Sequence, residues 1–378
     1  MLANKKFYRI PYNKAHIAAF YYQKRNAYIT LAKKMSKNIY INEGLFSKAV
    51  IKEYKDKWNV IDPFVSTIFF KLYSSLRDEV DICYIPDYLY SFPVDHMLQN
   101  HRYSAYYENK ALYNQWLADY SSLFPRTYLR KIDGNCFDEH YCRISNVEQY
   151  LRELEETQLV AKPSIDTASG KGVSIYRKNE STGQFCDKQQ VELLDRVLRE
   201  RDIVIQERVK QSVFMNSVNS SSINTIRVVT YRSVTTEAIH VMQVVIKRGK
   251  EGLFVDNLNS GGSFVEVARD GHIAKYGLTK WGKKIPFQSS EDYLPQFDNI
   301  CSVAKEVAAR DLINRQLYFD MFIDDYNKVR IMEINYSPHP TIQAVCGPAF
   351  AEFTDELIDY VRKTEGSLVR LIPVRALI

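Results

Sequence analysis

The sequence predicts a mixed α+β fold, and three observations predict it. The first hundred residues carry helical periodicity, the stretch that follows alternates short β-branched runs with helical ones, and two long strands and a carboxylate-bearing strand pair fill the C-terminal half.

Taken in order, an amphipathic pattern from Asn13 to about Ser36 predicts the first helix, and Asp62-Pro63 predicts the N-cap and first turn of another from Phe64 to Asp78. A further helix is expected from Asn109 to Tyr120, ending before Phe124-Pro125. Strands are expected over Thr127–Lys131, Leu159–Lys162, Val173–Tyr176 and Ile203–Gln206. Between them, Ser145-Asn146-Val147-Glu148 reads as a capping box in which Ser145 caps a helix reaching Glu156. The long strands Ile223–Tyr231 and Ala238–Lys247 are joined by a turn at Ser233–Glu237, and helices from Asn299 to Leu312 and from Phe350 to Lys363 flank the last strand pair. No internal repeat or Pro/Gly-rich linker divides the chain.

Composition excludes several classes. With 378 residues and 46% hydrophobic content the chain can bury a sizeable core, yet no apolar run reaches the length of a membrane span. The expectation is therefore a cytoplasmic protein, with attachment to the inner membrane through a biosynthetic complex as the alternative. Six scattered cysteines lack zinc-site spacing, and a net charge of +6 is too small for a nucleic-acid protein. Of the 27 tyrosines 16 lie in the first 120 residues, where rings with a hydroxyl handle suit a sugar or partner surface and a core-to-surface boundary equally, the boundary being the expected role.

Three constellations carry chemistry. In Tyr318–Asn335 two strand-like runs flank a polar tetrapeptide, so a hairpin is expected with Tyr326-Asn327 at its tip and Asp325 paired with Lys328. That register places Asp320 opposite Glu333, and Asn335 on the face of Glu333. Two carboxylates opposed on an apolar strand pair are costly without a cation, and the hard oxygen set suits Mg²⁺. In Leu159–Ile175 a strand ends at Lys162, and a small-residue loop follows with Ser169, Gly170, Lys171 and Gly172. Its glycines admit phosphate to the backbone amides, although it is not a Walker A loop. In Ser222–Tyr231, Arg227 and Thr225 share a face, and an arginine inside such a β-branched run needs an anionic partner.

In this order the motifs resemble the ATP-grasp superfamily, most closely the ATP-grasp proteins associated with sugar transfer and polysaccharide biosynthesis, over about Asn109 to Gly347. The resemblance implies an ATP-grasp fold, two α+β lobes clasping ATP. Residues 106–378 would form that domain, with a smaller nucleotide lobe over about 125–210 and a larger metal-binding lobe over about 211–378. Residues 1–105 would be a largely helical substrate or partner domain. By resemblance, Lys110 and Lys162 are the two phosphate-binding lysines, and Ser169, Gly170, Lys171 and Gly172 form the loop over the phosphates. Gln206, Glu207, Arg208 and Val209 form the adenine hinge, Arg227 steadies the γ-phosphate or an acyl phosphate, and Asp320, Glu333 and Asn335 hold the metal. Asn224, Asp256, Asn257, Gly261 and Gly262 are the candidate substrate residues.

The same resemblance implies ATP and Mg²⁺ as cofactors, two ions, with Mn²⁺ an acceptable substitute. It implies a ligase: a carboxylate on a small molecule or glycan attacks the γ-phosphate, and an amine or other nucleophile displaces phosphate from the acyl phosphate. Lys162 and Arg227 would act on the reacting groups. A sugar or alcohol kinase on the same fold, or a nucleotide-binding protein without turnover, stays open at this level. The loop has fewer glycines than many members, and the N-terminal hundred residues lack the β/α alternation common in the superfamily.

Overall fold

The structure is a computed structural model that describes residues 5–165, 172–187, 193–200, 202–250, 252 and 261–364. Helix α1 (Lys5–Met35) begins ahead of the expected Asn13. Helix α2 (Lys48–Trp58) is capped by Ser47, which accepts from the Val50 amide at 3.2 Å, and it buries Tyr54 and Trp58. Helix α3 (Ile68–Arg77) buries Phe69, Phe70, Leu72, Tyr73 and Leu76 and stops at Asp78, whose φ of 55° is left-handed. The expected cap at Asp62 is not used. Thr67 precedes α3, while the Asp62 carboxylate accepts from the Phe64 amide at 2.9 Å and the Tyr88 hydroxyl at 2.8 Å.

Many of the N-terminal tyrosines are core residues, whereas Tyr22, Tyr40, Tyr103 and Tyr106 are exposed. Tyr54, Tyr73, Tyr84, Tyr88 and Tyr90 are buried, and several hydroxyls find partners. Tyr73 donates to Asp87 at 2.6 Å, and burial pushes the Asp87 carboxyl up to about 7 against that hydrogen bond. The hydroxyls of Tyr90 and Tyr318 meet at 3.0 Å.

The helix expected over 109–120 is replaced by short turns at Lys110–Leu112, Tyr113–Trp116 and Ala118–Leu123. Long-range ties win over local periodicity here. The Lys110 amide donates to the Ser164 carbonyl at 2.9 Å, and the Tyr113 hydroxyl both donates to the Ile334 carbonyl at 3.2 Å and accepts from the Ile334 amide at 3.1 Å. The capping box also shifts. Asn146, not Ser145, caps Val147–Glu153, and Glu148 pairs with Arg152 instead of reaching back.

Two antiparallel sheets follow. A six-stranded sheet runs in the order β2-β1-β6-β3-β4-β5, from β1 (Thr127–Ile132), β2 (Asn135–Phe137), β3 (Gln158–Pro163), β4 (Ser174–Lys178), β5 (Phe185–Cys186) and β6 (Ile203–Glu207). A seven-stranded sheet runs β11-β10-β9-β8-β7-β12-β13. Its strands are β7 (Thr225–Arg232), β8 (Ile239–Arg248), β9 (Ser263–Val267), β10 (Ile273–Thr279), β11 (Lys284–Pro286), β12 (Gln316–Ile323) and β13 (Val329–Asn335).

Both faces of the larger sheet are covered. Ile226, Val228, Ile246, Phe319 and Met321 face the helix Phe297–Ala308 and the helix Val213–Val218. The opposite face carries Val229, Tyr231, Val245 and Tyr318, which join α2, α3 and the C-terminal residues Phe350, Leu357 and Val361 in one core. Strand alternation puts Arg227 on the face of Val229, Asp320 on that of Tyr318 and Lys247 on that of Val245. One sheet face is thus apolar under the N-terminal helices and turns charged farther along the same strands. That transition is where the cleft opens.

Candidate active site

The β12–β13 hairpin reaches the expected pairing by an unexpected route. The Asp324 amide donates to the Lys328 carbonyl at 2.9 Å, the Asn327 amide to the Asp324 carbonyl at 3.0 Å, and Asn327 has φ 58°. This is a three-residue loop with a left-handed third position, one residue longer than the tip expected from Tyr326-Asn327. A bulge at Met332 then restores the register, so Asp320 does lie opposite Glu333.

The cation that this carboxylate pair requires comes from the protein's own side chains. On β7 Arg227 is the cross-strand neighbour of Asp320 and grips it with both ends, Nε to Oδ1 at 2.8 Å and Nη2 to Oδ2 at 2.6 Å. Lys247, paired with Thr225 from β8, donates to Asp320 Oδ2 at 3.0 Å. Burial pushes the Asp320 carboxyl up, but Arg227 and Lys247 outweigh it and hold it well below the usual carboxylate range. Lys110 Nζ lies 3.3 Å from Glu333 Oε2, and the Asn335 amide nitrogen lies 3.5 Å from both Asp320 and Glu333.

Lys162, at the end of β3, points into the same space. Among the described residues its side-chain ammonium has Met332 Sδ, at 3.9 Å, as its hydrogen-bonding contact. Burial and the neighbouring Lys110 hold it down at about 7, with Glu333 acting the other way. A buried lysine that shares one carboxylate, Glu333, with a second lysine has charge left for an anionic ligand.

The residues expected to form the hinge line the cleft but are partly engaged. The Glu207 carboxylate takes Arg330 Nη2 at 2.7 Å and the Arg126 amide at 2.9 Å, and the Gln206 side chain donates to Thr127 Oγ1 at 2.9 Å. Arg208 and Val209 line the wall beside them. Arg330 also donates to the Phe124 carbonyl at 2.7 Å, so one guanidinium holds both chain segments that join the smaller sheet to the rest. Gly172 has φ 77°, a conformation that favours glycine, and Val173 after it reaches the cleft. Ser169, Gly170 and Lys171 lie outside the described residues, as do Asp256 and Asn257.

Asn224 does not reach the cleft. It is fully buried, and its amide donates to the carbonyls of Met215 at 2.9 Å and Asn219 at 2.7 Å, tying down the loop after the helix Val213–Val218. Gly261, with φ 96°, and Gly262 lead into β9 and are not among the cleft residues either.

Sequence reasoning missed Lys247, Arg330 and His339. The first lies at the strand position that alternation places on the face of Arg227, which was the available signal. His339 lines the cleft, its ring against Phe264 at 5.1 Å and its Nδ1 2.8 Å from the Thr341 hydroxyl. Burial, with Arg227 and Lys247, holds it down at about 3, so the imidazole is neutral. Lys247 and His339, but not Arg330, join Lys110, Lys162, Arg227 and Asp320 in lining a cleft of about 1660 Å³ between the two sheets.

The sequence profile described as sugar-transfer associated ATP-grasp matches residues 96–356 of the 378. The chain belongs to this family. Its two antiparallel sheets and helical N-terminal layer are therefore an ATP-grasp fold with an added helical region. No curated protein sequence matches this ATP-grasp chain significantly. Among solved structures it is similar to the D-alanine-D-alanine ligase from Coxiella burnetii, at 13% identity over 72% of this chain and 63% of that one, TM-score 0.39. It is similar also to N5-carboxyaminoimidazole synthetase from Staphylococcus aureus complexed with ADP, at 10% identity over 62% and 45%, TM-score 0.39. A third is the ATP-grasp ligase PsnB complexed with minimal precursor, Mg and ADP, at 14% identity over 70% and 62%, TM-score 0.34. The chain spans between 45% and 63% of the length of these three proteins, and overlaps this low carry no argument about its activity.

Proposed function

We propose that this ATP-grasp protein is an ATP-dependent ligase that activates a carboxylate as an acyl phosphate and transfers it to an amine or other nucleophile, on a sugar, polysaccharide or cell-surface glycan precursor. The observation that carries the reading is the convergence of four cations, Lys110, Lys162, Arg227 and Lys247, on Asp320, Glu333 and Asn335 in one cleft. The space exceeds the roughly 300–1,000 Å³ that a single small ligand fills, as a site for nucleotide plus carboxylate must. The family's association with sugar transfer supports the substrate class.

The residues also fit a divalent ion. Asp320 and Glu333 are hard oxygen donors with lone pairs beyond those their present partners use, and the Asn335 amide, which faces both through its nitrogen, would turn its oxygen to the ion. These three would hold Mg²⁺, which when bound supplies neutralisation of phosphate charge.

The chain's own part is positioning and charge. Lys110 and Lys162 screen the phosphates, and Arg227 and Lys247 stabilise charge on the transferring phosphoryl group and hold the carboxylate in line with it. The carboxylate oxygen bonds to the γ-phosphorus as its bond to the ADP oxygen breaks. The incoming amine then attacks the acyl carbon, phosphate leaves, and the amine gives up a proton. No side-chain nucleophile is needed.

Incubation with ATP, Mg²⁺, a panel of uronic acids and hydroxylamine tests this. The expected outcome is carboxylate-dependent ADP and phosphate release with a trapped hydroxamate. A stable phosphorylated sugar, seen by phosphorus NMR without hydroxamate, refutes the ligase reading.

A further inference from the structure

A second group of ligating side chains lies away from the cleft, where the chain leaves the helical layer. We propose that Asp95, His96 and His101 form a zinc site that clips this segment together beneath β12. One donor atom from each residue lies within 4.8 Å of the others. Asp95 Oδ2 is 2.8 Å from His101 Nε2 and 3.8 Å from His96 Nδ1, and the two imidazole centroids are 4.6 Å apart. Ligands about 2.0–2.1 Å from a tetrahedral zinc sit about 3.3–3.5 Å from each other, so small side-chain adjustments complete the geometry.

The atoms left over point the same way. Among the described residues His96 Nδ1 and Asp95 Oδ1 are both buried without a hydrogen-bond partner, and Asp95 is only 4% exposed. A simple Asp95–His101 hydrogen bond satisfies neither. An ion among the three would engage the imidazole nitrogen directly and balance the buried carboxylate. The ring of Phe92 packs edge-on against His96 at 4.9 Å, giving the apolar shell usual around such ions. His101 keeps 21% of its side chain exposed, which leaves the fourth position open to water.

Two imidazoles and one carboxylate suit zinc, unlike the oxygen-only set of Asp320, Glu333 and Asn335. The placement gives the ion a structural task. From Asp95–Leu98 the chain runs directly into ties with the strand that bears Asp320. The Leu98 carbonyl accepts from the Arg315 backbone amide at 2.8 Å, the Asn100 backbone amide donates to Asn314 Oδ1 at 3.0 Å, and the Gln99 side chain donates through Nε2 to the Gln316 carbonyl. Zinc would fix the corner from which these ties issue. This inference does not depend on the ligase reading.

The test uses the full chain without a histidine tag, stripped with chelator and re-equilibrated with ZnCl₂. Wild type and Glu333→Gln should each retain one zinc per chain by mass spectrometry. His96→Ala and His101→Ala should weaken binding by at least the 10–100-fold that loss of an outer-shell partner costs. Zinc should raise the melting temperature of wild type and not of the two histidine variants. Should those variants fail to fold, the wild type decides. Intense visible bands of a four-coordinate Co²⁺ derivative support the site, and the pale spectrum of a six-coordinate ion overturns it. Absence of zinc from wild type, retention in both histidine variants, or loss in Glu333→Gln alone also overturns it.

Discussion

Lys162 should take up a proton when a nucleotide binds. Its ammonium is held down at about 7, against the 10.5 of an ordinary lysine, by burial first and Lys110 second. One pH unit above that value, at pH 8, about nine-tenths of the side chain is neutral in the free protein. A triphosphate beside it favours the charged form, so binding at pH 8 should consume about 0.9 proton, and at pH 6 only about 0.1. Titration calorimetry with a non-hydrolysable ATP analogue, in buffers of different ionisation enthalpy at pH 8, measures the uptake. Lys162→Met serves as the blank. Equal uptake in the variant, or less than about 0.3 proton in wild type, refutes the argument. The same burial burdens the ligand-free fold. A lysine whose folded value lies below its unfolded one binds fewer protons when folded, so the penalty is complete below about pH 7 and fades as pH rises toward 10.5. At about 1.4 kcal/mol per pH unit the full penalty is about 5 kcal/mol as an order of magnitude. Lys162→Met should therefore stabilise the chain against urea by a few kcal/mol at pH 6, and by clearly less at pH 9.

Glu333→Gln should keep the fold and lower ADP production at least about 100-fold, since it removes charge at the proposed metal. A near-normal rate in a coupled ADP assay defeats the metal assignment. Asp320→Ala should cost about 3–5 kcal/mol in urea unfolding, because Arg227 and Lys247 are left side by side without their anion. A loss below about 1 kcal/mol shows the network to be solvated. Asn224→Ala should destabilise by about 1–3 kcal/mol through its lost ties to Met215 and Asn219, while KM for every substrate stays unchanged. A raised KM returns Asn224 to substrate recognition.

Much of the site was legible because strand periodicity is strict. Hairpin pairing put Asp320 opposite Glu333, and alternation put Arg227 with Thr225 on one face of its own strand, but only the fold sets Arg227 beside Asp320. The hairpin register, however, was reached through two offsets that cancel. The loop closes at Asp324 and Lys328 instead of Asp325 and Lys328, and the bulge at Met332 gives back the lost residue. Neither feature leaves a local mark strong enough to read. The helix expected over 109–120 failed for a different reason. Its periodicity is real, but ties from Lys110 to Ser164 and from Tyr113 to Ile334 join residues far apart in sequence. Asn224 was misplaced toward substrate because a polar residue beside a functional strand looks the same whether it faces a ligand or backbone carbonyls. Arg330 gave no signal, since apart from Asp324 on its own hairpin its partners Phe124 and Glu207 lie on segments brought together only by the fold.

That arginine has a mechanical consequence. The smaller sheet is entered past Phe124 and left past Glu207, and these crossings lie side by side, with the Glu207 amide bonded to the Arg126 carbonyl at 2.9 Å. A lobe suspended on two adjacent strands can swing about one line but resists twisting. Arg330 is bolted to the larger sheet and sits at that line, three residues from Glu333 along the same strand. The two sheets are therefore joined beside Glu333, and the contacts of Arg330 with Phe124 and Glu207 set how the smaller sheet, with Lys162, faces the strand that carries Glu333.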